Sequence, residues 1–200
     1  MKTTIINLFK DEKYQVTFSN FRPAERLIEL NQTHSDIICQ LDSLGTNQCG
    51  EDGIIFPLST TEKIAIRTAD CLPIFYYGKT NGALVHAGWR GVQNKIFVSK
   101  KLIDLNPTHI ITGPSICDSC FEVSVDFKNE FPHGTEYFYH QNGKLFFKIK
   151  SYAQDQLKIF FPQANFQFAD KCTLCQSEWH SHRRNQTKER NFTIFQKVNL

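Results

Sequence analysis

Two histidines and one cysteine stand out among the chemistry-bearing residues of this 200-residue chain. His34 lies in Gln32-Thr33-His34-Ser35-Asp36, Cys71 in Arg67-Thr68-Ala69-Asp70-Cys71-Leu72-Pro73, and His86 in His86-Ala87-Gly88-Trp89-Arg90-Gly91. A borderline-soft ion such as zinc takes imidazole nitrogen and thiolate sulfur, and three protein ligands leave a fourth position for water or substrate. A His, Cys, His set therefore has the makeup of a catalytic metal site. Spacing alone does not establish it, because the three lie on separate segments. Each also has a plain alternative: a cysteine beside a strand is commonly a small buried apolar residue, and a single histidine in a polar run serves structure. Cys71 could also act as a nucleophile with His86 or His34 as its base, the makeup of a hydrolase.

Around these residues stand groups suited to anions and protons. Gly88-Trp89-Arg90-Gly91 runs from a predicted strand into a predicted helix, where unpaired N–H groups and the Arg90 guanidinium suit phosphate; a glycine turn with a solvated arginine is the alternative. Arg67, and the pair Arg183-Arg184 in Ser181-His182-Arg183-Arg184, are further phosphate candidates, against a reading of the pair as solvated surface charge. Asp70 can move a proton, orient a histidine or pair with Arg67. Cys117-x-x-Cys120 and Cys172-x-x-Cys175 have the pair spacing of a four-thiolate zinc site, but the gap between pairs exceeds that of a compact ribbon, so ordinary buried thiols are the favoured reading. His109, His133, His140 and His180 belong to no constellation and read as structural or exposed.

The elements that must position these groups are mostly strands. Short apolar or alternating patterns predict strands at Thr3 to Phe9, Tyr14 to Phe18, Lys63 to Thr68, Leu72 to Tyr77, Gly82 to Ala87 and His109 to Thr112. Gly78-Lys79-Thr80-Asn81 joins two of them as a hairpin. From Gly91 the period lengthens, with Val92, Ile96, Ser99 and Ile103 three or four apart, which predicts one helix ended by Asn106-Pro107. A second helix is expected from Ser151 to Phe161, before Pro162. No linker or repeat divides residues 1–200, so one α+β domain of mixed sheets flanked by helices is expected.

Composition narrows the function. With 40% hydrophobic residues the chain can bury a substantial core. Twenty-three Lys and Arg against 20 Asp and Glu leave a charge of +3, too even for bulk attraction to nucleic acid or membrane, so a small-molecule partner is expected. The start is broken by charge before any long apolar stretch, and seven unevenly spaced cysteines suit free thiols or metal ligands, so a cytoplasmic location is expected.

Taken in order, Gln32-Thr33-His34, Arg67 to Pro73, His86 to Gly91, Gly113-Pro114-Ser115-Ile116, Glu122-Val123 and Ser181 to Arg184 resemble the signatures of the YfiH-like family, formerly labelled laccase-domain polyphenol oxidases. The likeness covers roughly residues 30 to 195. It implies the YfiH-like fold, zinc held by His34, Cys71 and His86, and phosphorolysis of purine nucleosides (adenosine, inosine, guanosine and methylthioadenosine), with adenosine deamination as a companion activity. Purine nucleosides and phosphate are then the partners. His182 departs from the family pattern, in which an aromatic residue precedes the arginine pair. The older label suggests a copper-dependent polyphenol oxidase instead, although few of the histidines fall in the paired motifs of a multicopper centre.

Overall fold

In the computed structural model, which describes residues 2–43 and 50–198, alternating apolar residues build two large sheets packed face to face. The first contains β1 (Ile5–Lys10), β2 (Tyr14–Ser19), β3 (Ile28–Glu29), β6 (Ile64–Thr68) and β14 (Asn191–Lys197), in the order β1-β2-β14-β6-β3. The second contains β4 (Ile38–Gln40), β5 (Gly53–Pro57), β7 (Leu72–Tyr77), β8 (Asn81–Ala87), β9 (His109–Thr112) and β13 (Asn165–Phe168), in the order β13-β9-β7-β8-β5-β4. A smaller sheet pairs β10 (Glu122–Val123), β12 (Lys144–Phe147) and β11 (Phe138–Gln141). Pairing is mostly antiparallel, with parallel contacts of β3 to β6, β4 to β5 and β13 to β9. The mixed α+β class is as expected.

The six-stranded sheet is covered on both faces, which explains why its central strands are apolar at nearly every position. Its Ile54, Phe56, Phe75 and Leu84 meet Val16, Phe18, Ile64, Ile66 and Phe195 of the first sheet. On the opposite face, Ile74, Tyr76, Val85 and Ile110 pack with Phe147 of the small sheet and with Tyr152, Ala153 and Leu157 of α3 (Ile149–Phe160). Ile64 and Ile66 share one face as their alternation requires, while Ala65 turns outward to Leu27, Phe192 and Ile194.

Strands β7 and β9 have the predicted limits, and the hairpin closes through Gly78 N–H to Asn81 O at 3.0 Å. The continuous helix predicted from Gly91 to Ile103 is a correction. Helix α1 (Trp89–Gln93) stops at Asn94, Lys95 takes a left-handed φ of 58°, Ile96–Val98 form a 3-10 turn, and α2 (Lys100–Leu105) starts after an extended Ser99. Ile96, Phe97 and Val98 are all buried. Three successive side chains cannot face one side of a straight α-helix, and the broken path takes all three into the core. Ile103, which a period of four would bury, is 40% exposed.

Phe195 is fully buried between the large sheets, with ring centroids 4.6 Å from Phe56 and 5.9 Å from Phe75. Phe195→Ala is expected to destabilise the protein by about 3–5 kcal/mol in urea denaturation. A loss below about 1 kcal/mol would mean that this contact does not hold the sheets together.

Candidate metal site and cleft

Strand register brings the reactive residues to one end of the six-stranded sheet. Leu72 pairs with Ala87 and Pro73 with His86, so Cys71, one residue before β7, stands beside the end of β8. Asp70 turns the chain into this strand with a positive φ of 87°, and His34 also has a left-handed backbone, φ 63°. His34 lies in the loop between β3 and β4 and comes over the same sheet end. Its Nε2 is 3.8 Å from Cys71 Sγ, and its ring meets His86 edge-on at 4.8 Å between centroids. Ligand atoms of His34, Cys71 and His86 all lie within 4.8 Å of one another.

The donor set fits a metal ion. A Cβ added at Gly88 would come within 2.6 Å of His34 Cδ2 and 3.3 Å of Cys71 Sγ, so the sequence leaves a side chain out where the ligands crowd together. His86 donates from Nδ1 to Asp52 Oδ1 at 2.6 Å, which leaves Nε2 as a lone-pair donor on the side of Cys71. Buried Asp52 was not among the residues singled out from sequence. It immediately precedes β5, whose pairing of Gly53 with Val85 sets it beside His86. An acidic residue just before the apolar Ile54-Ile55-Phe56 run was the available signal, and it has no characteristic spacing to either histidine.

Charge is strongly coupled here. Burial raises the Cys71 thiol, but the His86 charge and hydrogen bonds from His34 and His86 outweigh it and bring the thiol to about 6. Burial lowers His86, while the Cys71 and Asp52 anions more than offset that and raise it to about 9. Burial also opposes the Asp52 anion, yet its bond to His86 and the Ser35 N–H hold the carboxyl below its ordinary range. Cys71 and His86 are thus shifted toward a thiolate–imidazolium pair resting on the Asp52 carboxylate.

These residues open into a cleft of about 560 Å³. Its ionic lining is cationic: Arg67, Arg90, Arg183, Lys188 and Arg190 face one carboxylate, Asp70. Arg90 is exposed, with its guanidinium 4.3 Å above the Trp89 ring, and Arg183 lies 5.2 Å over Phe121 while donating to Glu122 O at 2.8 Å. Arg67 is held by Glu29 at 3.5 Å and Leu30 O at 3.1 Å. Arg184, expected with the phosphate group, points elsewhere and does not line the cleft. Its guanidinium donates to the carbonyls of Thr173, Leu174, Gln176 and Trp179, so it braces a turn. Lys188 and Arg190 are cationic lining residues that sequence reading missed, and they follow the arginine pair closely enough for its loop to have suggested them.

Asp70 does not orient a histidine, the role that Asp52 takes, nor does it pair with Arg67. One oxygen accepts from Thr173 Oγ1 at 2.7 Å, and the other from Ser181 Oγ at 3.0 Å and Arg183 N–H at 2.7 Å. It ties the arginine-bearing segment to the sheet end. Helix α1 starts at Trp89 after Gly88, where the anion site was expected, but it has only five residues, so its dipole adds little there. Of the unassigned histidines, His180 bonds Asn20 O at 2.7 Å, a structural contact.

The family described as multi-copper polyphenol oxidoreductase laccase matches residues 11–195, which include every residue of this site and both large sheets apart from β1 and the end of β14. The chain belongs to this family. Among its relatives is a protein from Aquifex aeolicus named purine nucleoside phosphorylase, 35% identical over 182 residues, covering 89% of this chain and 86% of the relative. A Borreliella burgdorferi protein of the same name is 30% identical, covering 82% and 77%. In structure, Neisseria meningitidis protein NMB0706 superposes with a TM-score of 0.81 at 18% identity, covering 98% of this chain and 99% of that one. YlmD from Geobacillus stearothermophilus gives 0.74 at 22%, covering 88% and 75%. Bacillus licheniformis YfiH superposes with a TM-score of 0.71 at 20% identity, covering 85% and 73%, so the YfiH-like fold expected from the motifs is the one observed. No helix among the described residues is long and apolar enough to cross a membrane.

Two outcomes test the site. Asp52→Asn should weaken metal binding by about 10–100-fold in a chelator competition, since it removes the negative charge behind the His86 ring and one of the two oxygens that accept from His86, Thr33 and Ser35; unchanged affinity would remove the Asp52 charge from the metal's support. In metal-stripped protein, alkylation of Cys71 should persist down to about pH 6 and fall away below it, because a lowered thiol pKa keeps the reactive anion above that value. Bound metal should suppress it, whereas a midpoint near 9 would contradict the coupling.

Proposed function

We propose that this chain is a zinc-dependent purine nucleoside phosphorylase, acting on adenosine, inosine, guanosine and methylthioadenosine, with adenosine deamination as a second activity. The observation that carries the reading is the convergence of His34, Cys71 and His86 in a cleft that is also lined by arginine and lysine. The names of the Aquifex and Borreliella relatives support it.

Zinc held by the three residues would supply Lewis acidity at an open fourth position. In phosphorolysis a phosphate oxygen bonds to C1′ of the ribose as the bond from C1′ to the purine nitrogen breaks, releasing the base and ribose 1-phosphate. Negative charge leaves phosphate and collects on the purine, while the ribose becomes cationic in passing. Arg90 and Arg183 are assigned to hold the phosphate, each with its guanidinium carbon over an aromatic ring. Arg67, fixed by Glu29 and Leu30, adds positive potential from the first sheet. Trp89, Ile116 and Phe121 give the cleft an apolar wall against which a purine can stack. Asp70, with both oxygens engaged, is assigned to placing Arg183, and a proton-transfer role in deamination requires release from that network.

One observation favours a second reading. Asp52, His86 and Cys71 form a carboxylate–imidazole–thiol chain of the kind that activates a cysteine nucleophile. A nucleophile needs one base, however, and here a second imidazole stands 3.8 Å from the same sulfur, an arrangement that a metal explains. The copper-oxidase reading meets the same donor set: two imidazoles and one thiol supply a single ion, while the multicopper description implies several.

Incubation with adenosine, with and without phosphate, followed by chromatography tests the proposal. Adenine and ribose 1-phosphate should form only with phosphate, and His86→Ala should abolish them. Arg90→Ala should raise the KM for phosphate by about 10–100-fold through loss of a charge-assisted bond. Inosine without adenine would leave deamination alone, and a trapped Cys71 thioester with no purine product would favour the hydrolase.

A further inference from the structure

Among the described residues, one further cluster of metal-ligating side chains lies outside the cleft. The sequence favoured ordinary buried thiols for Cys117, Cys120, Cys172 and Cys175, yet the structure brings all four sulfurs within 4.8 Å of one another. A parallel bridge of Ser115 with Cys172 sets the two Cys-x-x-Cys turns side by side across 55 residues of sequence, with Cys120 Sγ 3.3 Å from Cys175 Sγ. In a tetrahedron with zinc–sulfur bonds of about 2.3 Å, neighbouring sulfurs stand about 3.8 Å apart. The cluster has the size of such a shell.

The turns have the form of metal knuckles. Cys120 N–H donates to Cys117 O at 3.0 Å and Gln176 N–H to Cys172 O at 3.1 Å, curling each pair so that both its sulfurs face inward. Cys117 N–H donates to Cys172 Sγ at 3.3 Å, a bond that favours thiolate. Four sulfurs with no imidazole or carboxylate among them make a closed, soft donor set, which suits a structural ion and leaves no position for substrate.

We infer that Cys117, Cys120, Cys172 and Cys175 bind a structural zinc ion that fixes the wall of the cleft. Asp118, inside the first turn, accepts from the N–H groups of Lys150 and Ser151 at 2.9 and 3.3 Å and so anchors the start of α3. Thr173, inside the second turn, donates to Asp70, which also receives Ser181 and the Arg183 N–H. The four carbonyls that hold Arg184 lie on Thr173 to Trp179, the same stretch. The ion would thus join two distant segments and hold Arg183 over the cleft without touching substrate. It is independent of the metal at His34, Cys71 and His86.

The test uses the full chain carrying Cys71→Ala, which removes a ligand from the cleft site and leaves the four-thiol cluster intact. Elemental mass spectrometry should find one zinc per chain, released as four thiols react with a mercurial. Cobalt exchanged for it should give the intense near-ultraviolet thiolate bands and visible absorption of a tetrahedral sulfur site. Zinc-free Cys71→Ala protein, iron in the site, or a Cys120–Cys175 disulfide found by peptide mapping would overturn the inference. Comparison with the unsubstituted chain separates the two metals: two zinc ions there support both sites, and one in each protein leaves the four-thiol site standing while the cleft reading fails.

Discussion

The carboxylate of Asp52 is the interaction on which the site depends. It is fully buried, and it holds both histidines by different means. One oxygen fixes the His86 ring, while the other accepts the N–H groups of Thr33 and Ser35, the residues on either side of His34. Backbone bonds add to this, because Asp52 O accepts from His86 N–H at 2.7 Å and Asp52 N–H donates to Ile37 O at 3.0 Å. A loop that would otherwise be free to move is thereby locked to a strand end. The left-handed backbone at His34, disfavoured for a residue with a Cβ, is the conformation that this clamp sustains.

A second carboxylate plays the matching part on the opposite side of the cleft. Asp70 gathers Thr173, Ser181 and Arg183 from a segment more than a hundred residues away, so the chain's late arginines are carried to the sheet end where the early motifs already stand. The cleft is consequently built from five separated stretches of the sequence. The six-stranded sheet, buried on both faces, gives them a common rigid base.

Much of this was legible in the sequence because strand patterning and motif chemistry are local. Leu72 to Tyr77 and His109 to Thr112 are bounded by turn residues and filled with apolar ones, and they form strands over those limits. His34, Cys71 and His86 are visible by residue type, and Arg67, Arg90 and Arg183, picked as phosphate candidates, line the cleft. What escaped depends on long-range register. Asp52 matters because β5 pairs with β8, and nothing near it in sequence announces that pairing. Arg184 resembles its neighbour Arg183 in sequence, yet one turn of α4 (His182–Asn185) sends the two guanidiniums to different surroundings. The break at Lys95 follows from how many consecutive apolar side chains the core accepts, which a four-residue period does not reveal.

The most direct measurement is an anomalous-difference map from crystals of the protein, with data collected on both sides of the zinc absorption edge. A peak should lie about 2.3 Å from Cys71 Sγ and about 2.0–2.1 Å from the His34 and His86 ring nitrogens, with the Asp52 carboxylate still on His86 Nδ1. Crystals with no anomalous peak among these three residues, or with a peak that excludes Cys71, would contradict the assignment of the cleft as a zinc site organised by Asp52.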